Sequence, residues 1–235
     1  MDIERPYEVK FEIAGPAAMF TRPDTGSTPI SYPVPTLSAA KGMFEAVARF
    51  PYANSIAWIQ PTRVEVCRPI RYERYVTNYG GPLRKQDQLR NRTSYQLIAT
   101  ILVDVCYRIY AEVRVKKMCR RGKNDPTLKK RHGAETYRLA LRDLFDERLQ
   151  QGETYYTPCL GWKEFVPSYF GPFRERDECG QRIEPLTTGE IHIPAMLISM
   201  WEHRHYNPSF CERWIVDGVM SYEHEKPRLE VRNVE

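Results

Sequence analysis

One stretch of the sequence concentrates side chains that can bind phosphate. The run from Arg114 to His132 is the densest basic segment of the chain and contains one Asp and no Glu. It follows an alternating apolar segment and precedes a helical pattern, a position in which strongly positive loops commonly hold phosphates. Charged runs are more often solvated surfaces, so the residues alone leave nucleic-acid contact and simple solvation both open.

A second candidate phosphate site lies at the start of a predicted helix. Two prolines fix the backbone before it, and Thr36 or Ser38 can cap a helix whose good formers run from Ala39 to Ala48. The free N–H groups and positive dipole end of a helix favour an anion, and Lys41 adds charge in the first turn. The alternative is an ordinary amphipathic helix that packs its apolar side chains on a sheet, namely Met43, Phe44 and Val47.

The cysteine and histidine pattern gives little support to metal or disulfide chemistry. The six cysteines are widely scattered and include no C-x-x-C pair, which is typical of reduced structural thiols in a cytosolic protein. His203-Arg-His205 with Cys211 could supply metal ligands, but a fourth partner at a known spacing is missing. We therefore expect no metal and no cofactor.

Size and composition set broad limits on the function. A chain of 235 residues can bury a real core. Its net charge of +5 permits a polyanionic partner without requiring one. Apolar runs stay well short of the roughly 20 residues that a membrane helix needs, and the start Met1-Asp-Ile-Glu is not a signal peptide. We expect a cytoplasmic protein without membrane contact.

The periodicity of apolar residues predicts the elements that position these side chains. Glu8 to Ile13 alternates strictly, which predicts a half-buried strand with three charges on one face. Val103 to Val115 alternates in the same way, and its length indicates a central strand. A helix with one apolar stripe is predicted from Glu135 to Gln151, with Gly152 as its C-cap. Further strands are predicted at Ser55–Gln60, Arg63–Arg68, Ile70–Val76 and Cys159–Val166.

This order of elements predicts the fold class. Strand, helix, two strands, long strand, helix and final strand is close to the β-α-β-β-α-β order of a ferredoxin-like domain, which also underlies the RNA-recognition module. We predict an α+β protein whose ferredoxin-like, RRM-like core spans residues 1–172. Residues 173–235 are predicted to form a β-rich C-terminal extension, with strands at Ile191–Trp201 and Trp214–Tyr222 that a polar segment separates.

Several segments together resemble a known family. Gly15-Pro-Ala-Ala-Met-Phe-Thr-Arg-Pro23 and Ser31-Tyr-Pro-Val-Pro-Thr-Leu-Ser-Ala-Ala-Lys-Gly42 are similar to the N-terminal signature of the CRISPR-associated "Cas five" family, type I-C or Dvulg branch, within the RAMP superfamily. Later segments resemble the family in its own order: Asn91 to Ala111, Leu160-Gly-Trp-Lys-Glu-Phe165 and Asp217-Gly-Val219. The order and spacing of these segments are more specific than any one of them.

The resemblance implies an RNA-binding subunit of a Cascade interference complex in antiviral defence. Such a subunit holds the 5′ handle of the CRISPR RNA, contacts the backbone and large subunits of Cascade, and meets target DNA through the complex. Many members of the branch also cut the precursor transcript as metal-independent endoribonucleases. A base takes the proton of a ribose 2′-OH, the oxygen attacks the adjacent phosphate, and a cation stabilises the developing charge.

The sequence departs from the family where that chemistry is expected. Counting back from Gly152, the family's adjacent Lys-His pair falls on Ala140 and Leu141, and its aromatic or His near the end of the first helix falls on Ala48. These side chains cannot move a proton, so whether the chain is an enzyme stays open. The substitute catalytic candidates lie at the end of the basic run: Lys130, Arg131 and His132.

The residues expected to bind RNA come from the helix approach, the basic run, the second helix and the Leu160 segment. They are Arg22, Tyr32, Lys41, Lys116, Lys117, Arg120, Arg121, Lys129, Arg138, Arg142 and Lys163. Lys163 stands where the family has Arg, and Tyr155, Tyr156 and Trp162 could stack bases. We favour an RNA-binding subunit over a processing endoribonuclease, and both over an unrelated ferredoxin-like domain that binds proteins.

Overall fold

The computed structural model describes residues 7–50, 57–79, 86, 90–91, 95–115, 134–187, 189–202 and 205–223. Ten helices and strands lie within these residues. In chain order they are β1 (Glu8–Ala18), α1 (Leu37–Val47), β2 (Ala57–Val66), β3 (Tyr72–Tyr79), β4 (Tyr95–Val115), α2 (Ala134–Gln151), β5 (Tyr169–Gly171), β6 (Glu190–Glu202), β7 (His205–Val216) and β8 (Val219–Ser221).

All eight strands join one sheet. Its order is β5-β1-β4-β2-β8-β7-β6, and β3 pairs with β4 outside this path. The part β5-β1-β4-β2 is antiparallel throughout and is the four-stranded arrangement of a ferredoxin-like domain. The predicted fold class, a ferredoxin-like core with a β-rich extension, is confirmed. The extension continues the sheet through β8, which pairs with β2, and the boundary at residue 172 stays a prediction.

The long strand β4 is central, as its pattern indicated, and it starts earlier than predicted. It spans 21 residues from Tyr95 to Val115. Asp104 has a φ of 51°, in the left-handed region, and the pairing changes near it. The residues before it pair with β3 and those after it pair with β2, whereas β1 pairs with β4 on both sides of Asp104, from Leu102 to Glu112.

Both helices pack their predicted apolar residues on the sheet. Thr36 caps α1, and its Oγ1 accepts a hydrogen bond from the Ala39 N–H at 3.2 Å. The buried side chains of the two helices include Met43, Phe44 and Val47, which the sequence predicted, and three residues of the apolar stripe of α2: Leu141, Phe145 and Leu149. Gly152 follows α2 with a φ of 71°, which confirms it as the C-cap residue.

The prediction of a strand at Cys159–Val166 was wrong. This segment is a tight turn, in which the Leu160 N–H donates to the Phe165 carbonyl at 2.8 Å and the Phe165 N–H donates to the Trp162 carbonyl at 3.0 Å. Gly161 has a φ of 91°, and a Cβ there would lie 1.9 Å from the Met19 carbonyl oxygen. The last strand of the ferredoxin-like core is instead the short β5.

The predicted polar break between the C-terminal strands was also largely wrong. β7 begins at His205 and includes most of that segment. Its backbone pairs with β6 starting at its first residue, His205, which lies opposite Glu202. The Asp217-Gly218 turn then returns the chain to β2. The Gly218 carbonyl accepts a hydrogen bond from the Val66 N–H at 2.7 Å.

Candidate nucleic-acid interface

The predicted phosphate-binding run connects the end of β4 to the start of α2. Tyr7 forms hydrogen bonds with both of these elements. The Tyr7 carbonyl accepts from the Val113 N–H at 2.9 Å, and its hydroxyl donates to Glu135 Oε1. The candidate residues inside the run lie outside the described residues and stay predictions: Lys116, Lys117, Arg120, Arg121, Lys129, Lys130, Arg131 and His132.

Beside this anchor the surface of α2 has mixed charge. The Arg138 guanidinium lies 4.9 Å from the centroid of the Tyr7 ring, and the hydrogen bond to Glu135 raises the pKa of Tyr7. Arg142 forms an ion pair with Asp143 at 2.6 Å. Acidic neighbours therefore accompany both arginines, which makes this surface less positive than the sequence suggested. Contact of Arg138 and Arg142 with RNA stays a prediction.

A second group of cations lies near the other end of β4. The Trp162 indole N–H donates to Thr21 Oγ1 at 2.8 Å, which brings the exposed Lys163 to the strand segment that carries Arg22. The Arg22 N–H donates to the Ile30 carbonyl, and Ile30 bridges to Thr100 of β4. Roughly 40 Å of strand separates Thr100 from the Tyr7 anchor at Val113. Among the described candidates, Arg22 and Lys163 therefore lie apart from Arg138, which contacts Tyr7.

Tyr32 serves the fold. It is 1% exposed, and its hydroxyl donates to the Ala195 carbonyl at 2.7 Å and accepts from the Leu197 N–H at 3.1 Å. These bonds fix the proline-rich approach to β6. Because the side chain has neither an exposed face nor a free hydroxyl, we do not retain it among the residues that reach RNA.

At the start of α1, the capping side chain of Thr36 already binds one of the free backbone N–H groups. Thr36 Oγ1 accepts from the Ala39 N–H, and Lys41 is 45% exposed with Glu45 at 3.7 Å. Exposed i,i+4 pairs of this kind are weak, so the Lys41 charge remains available to a ligand.

The aromatic residues proposed as stacking partners differ in exposure. Trp162 is half-buried and stacks on Phe165, with centroids 5.9 Å apart and an interplanar angle of 3°. Tyr155 and Tyr156 are 49% and 45% exposed, and the Arg148 guanidinium lies 4.2 Å from the Tyr155 centroid. Tyr155 and Tyr156 therefore present the more accessible rings.

A cleft of about 630 Å³ lies where the loop after β1, the start of β3 and β6 meet. Arg22, Tyr72 and His192 line it. Burial raises the pKa of Tyr72, while the nearby Arg22 charge opposes this rise. Sequence reasoning missed Tyr72 and His192 because neither lies in a motif, and they approach Arg22 only through the tertiary fold.

The sheet face opposite the helices is covered by the chain itself. Phe173 packs on Tyr110, with centroids 5.3 Å apart, and the Arg108 guanidinium lies 4.8 Å from the Phe173 ring. Buried Glu12 holds this cover through Arg108 and Arg174. An RNA-recognition module would stack bases on that face, so the candidate interface here lies at the sheet ends and the helix side.

Comparison with known families decides the wider relationship. The family model of the CRISPR-associated protein (Cas_Cas5) family, Cas5d type, matches residues 8–234. The chain belongs to this family. The predicted resemblance is therefore confirmed over almost the whole sequence.

Two relatives agree with this family, and a solved structure shares the fold. A protein of Thermus thermophilus named CRISPR pre-crRNA endoribonuclease Cas5d is 30% identical over 166 residues, which are 70% of this chain and 63% of that protein. A protein of the same name from Mannheimia succiniciproducens is 27% identical over 184 residues, 72% of this chain and 74% of its own length. The structure titled "Crystal Structure of CRISPR-associated Protein" covers 93% of this chain and 92% of its own, with a TM-score of 0.61 and 17% identity; it shows a shared fold.

Within this Cas_Cas5 chain, the positions expected for proton transfer carry inert side chains. Ala48 and Leu141 are each 1% exposed and belong to the core, whereas Ala140 is exposed on α2. Ala48 ends α1, and its N–H donates to the Phe44 carbonyl at 3.0 Å. These three positions therefore supply no general base.

Among the residues that the structure describes, no group of three or more His, Cys, Asp or Glu side chains is placed to hold a metal ion. His203, one of the candidate ligands, lies outside them. None of the described helices is both long and apolar enough to cross a membrane.

Proposed function

We propose that this chain is the CRISPR RNA-binding subunit of a type I-C-like Cascade complex and holds the 5′ handle of the guide RNA. The observation that carries the proposal is the family match over residues 8–234. Its partners are the CRISPR RNA, the backbone and large subunits of Cascade and, through the complex, target DNA.

The geometry supports a long, extended ligand. Arg22 and Lys163 lie near one end of β4, and the described residues that flank the basic run, Val113 and Glu135, meet at Tyr7, roughly 40 Å away along the strand. Single-stranded RNA can follow such a path because its phosphates repeat along the whole strand. A protein that bound a compact anion would need only one of the two groups.

A salt titration of RNA binding tests this proposal. The quadruple variant Lys116→Ala, Lys117→Ala, Arg120→Ala and Arg121→Ala is expected to bind end-labelled repeat RNA more weakly. It should also flatten the plot of log affinity against log salt by up to about 3, since each phosphate contact to a single strand contributes about 0.7. Arg182→Ala, at a side chain 75% exposed and far from these groups in sequence, is the control and should match the wild type.

Two results would count against the proposal. Wild-type protein without affinity for repeat RNA would favour the alternative of a ferredoxin-like domain that binds proteins. An unchanged slope in the quadruple variant would remove the basic run from the interface.

A second candidate function is metal-independent processing of precursor CRISPR RNA. The names of the two relatives favour it, whereas Ala48, Ala140 and Leu141 leave the expected base and cation unfilled. Incubation with end-labelled repeat RNA in EDTA tests it, with His132→Ala as the variant of the predicted substitute base. Cutting that His132→Ala abolishes would assign the reaction to the end of the basic run.

A further inference from the structure

Two cysteines from distant parts of the sequence lie opposite each other in the folded sheet. Cys67 directly follows β2, and the register that pairs Val66 with Tyr107 continues by one residue to place Cys67 against Cys106 of β4. The Cys67 N–H donates to the Cys106 carbonyl at 2.9 Å. Residues that are directly opposite in an antiparallel pair carry their side chains on the same face of the sheet.

The geometry of this pair suits a disulfide. Opposite, hydrogen-bonded residues of antiparallel strands have Cα atoms roughly 5.5 Å apart, and disulfides join residues whose Cα atoms are about 4.4–6.8 Å apart. The two thiols lie within hydrogen-bonding reach of each other, and both are free. Bond formation between Cys67 and Cys106 therefore needs side-chain rotation rather than a new arrangement of the strands.

The backbone beside Cys67 is held by further strands and loops. The neighbouring Val66 donates its N–H to the Gly218 carbonyl at 2.7 Å, and its carbonyl accepts from the Leu186 N–H at 2.9 Å. Ile183 forms one buried cluster with the two cysteines. Because these contacts fix the strands, each thiol meets the other at a high effective concentration.

Cys106 is accessible to a small oxidant. It is 3% exposed, and it lines a cleft of about 660 Å³ together with Gly15, Arg68 and Arg174. The hydrogen bond with the Cys67 thiol lowers the pKa of Cys106; burial opposes this change, and the positive charges of Arg174 and Arg68 reinforce it. A larger thiolate fraction makes Cys106 the better nucleophile of the pair.

We propose that Cys67 and Cys106 form an oxidation site, at which hydrogen peroxide converts the two thiols into a disulfide between the end of β2 and β4. The Cys106 sulfur attacks one peroxide oxygen, the O–O bond breaks, and the released hydroxide takes the Cys106 proton to form water. The Cys67 sulfur then attacks the sulfenic sulfur of Cys106, the S–O bond breaks, and the second hydroxide takes the Cys67 proton. Two electrons pass from the thiols to peroxide, which becomes two molecules of water.

This site goes beyond RNA binding and changes how the β3–β4 hairpin is held. The chain between the two cysteines contains β3 and the first part of β4, so the disulfide closes this segment into a covalent loop. A cross-link that closes a loop of about 40 residues restricts the unfolded chain, which should raise the urea midpoint of the protein by about 1 M.

Peptide mapping of the full-length protein tests the oxidation site. After brief treatment with hydrogen peroxide and alkylation of the remaining thiols in urea, the wild type should yield a linked pair of peptides that contain Cys67 and Cys106, and dithiothreitol should separate them. The urea midpoint should rise by about 1 M on oxidation and return on reduction. In Cys67→Ser, Cys106 should stay a sulfenic acid that dimedone labels. Cys179→Ser removes an exposed thiol of the same cleft; it is the matched control and should form the disulfide as the wild type does.

Three results would overturn the inference. The first is wild-type protein in which Cys67 and Cys106 are both alkylated after peroxide treatment. The second is a peptide map that links Cys106 to Cys179, or that shows Cys106 as a sulfinic acid without a linked pair. The third is a Cys67–Cys106 disulfide that leaves the urea midpoint unchanged, which would show that the bond does not stabilise the hairpin segment.

Discussion

Replacing Glu12 with Gln is expected to destabilise the protein because it leaves two arginines without their shared counter-ion. Glu12 is 0% exposed. Its Oε1 accepts from Arg174 Nε at 2.9 Å, and its Oε2 accepts from the Arg174 backbone N–H at 3.2 Å and from Arg108 Nε at 3.4 Å. The same carboxylate therefore holds the chain segment around Phe173 on the sheet.

The size of the expected loss in the free energy of unfolding follows from the burial of Glu12. Removing one partner of a buried ion pair costs about 3–5 kcal/mol. The Arg108 and Arg174 side chains keep 14% and 22% exposure, so water solvates part of the uncompensated charge, and the Gln carbonyl retains one acceptor. We therefore expect a loss of about 3 kcal/mol in the free energy of unfolding. Arg174→Ala should cost less, because Arg108 still neutralises the carboxylate.

Urea unfolding at neutral pH measures this loss. With a slope of roughly 3 kcal/mol per molar urea for a domain of this size, the midpoint should fall by about 1 M. Glu73→Gln, an exposed carboxylate on β3, is the control and should stay within about 0.5 kcal/mol of wild type. A Glu12→Gln midpoint equal to that of this control would refute the reasoning.

Three further predictions concern single residues. Gly161→Ala should destabilise the protein by about 2–4 kcal/mol in urea unfolding, because φ is 91° and the new Cβ would meet the Met19 carbonyl; a smaller loss would show that the turn relaxes freely. Burial raises the pKa of Tyr110 from 10.0 to about 12, so its contribution to stability is full below pH 10 and is lost as the pH rises towards 12. The urea midpoint should fall less steeply over that window in Tyr110→Phe, and an identical pH profile would contradict the assignment. Lys163→Ala should reduce the salt slope of RNA binding by about 0.7, whereas Lys163→Arg should keep it; equal slopes for both variants would exclude a phosphate contact.

Local patterns identified most of the ferredoxin-like core. The alternation in Val103–Val115 predicted a strand and the apolar stripe of Glu135–Gln151 predicted a helix, because each pattern depends only on residues that are close together in the sequence. Strand β4 and helix α2 confirm both predictions. The turn at Leu160–Phe165 was missed because its conformation depends on Met19, which lies far away in the sequence. The Met19 carbonyl oxygen leaves no room for a Cβ at position 161. Short apolar segments with aromatic residues are read as strands when such a contact is not visible.

The candidate site was predictable only in part. The density of Lys and Arg in the basic run is a property of the sequence itself, and its contact with RNA stays a prediction. Tyr32 belonged to a motif, yet the fold uses its hydroxyl to hold β6. His192 belonged to none, and its contacts with Trp214 and Glu212 of β7 arise only in the folded chain.

The sequence by itself determined the family, the fold class and the positions of the long elements, because these depend on composition, periodicity and short motifs. Only the tertiary structure decided which charges are buried and which side chains share a cleft. Glu12 alternates like an exposed strand residue and becomes buried when the segment around Phe173 folds over the sheet. Arg22, Tyr72 and His192 come from distant segments of the chain and line one cleft only in the folded protein, and that proximity leaves no local trace in the sequence.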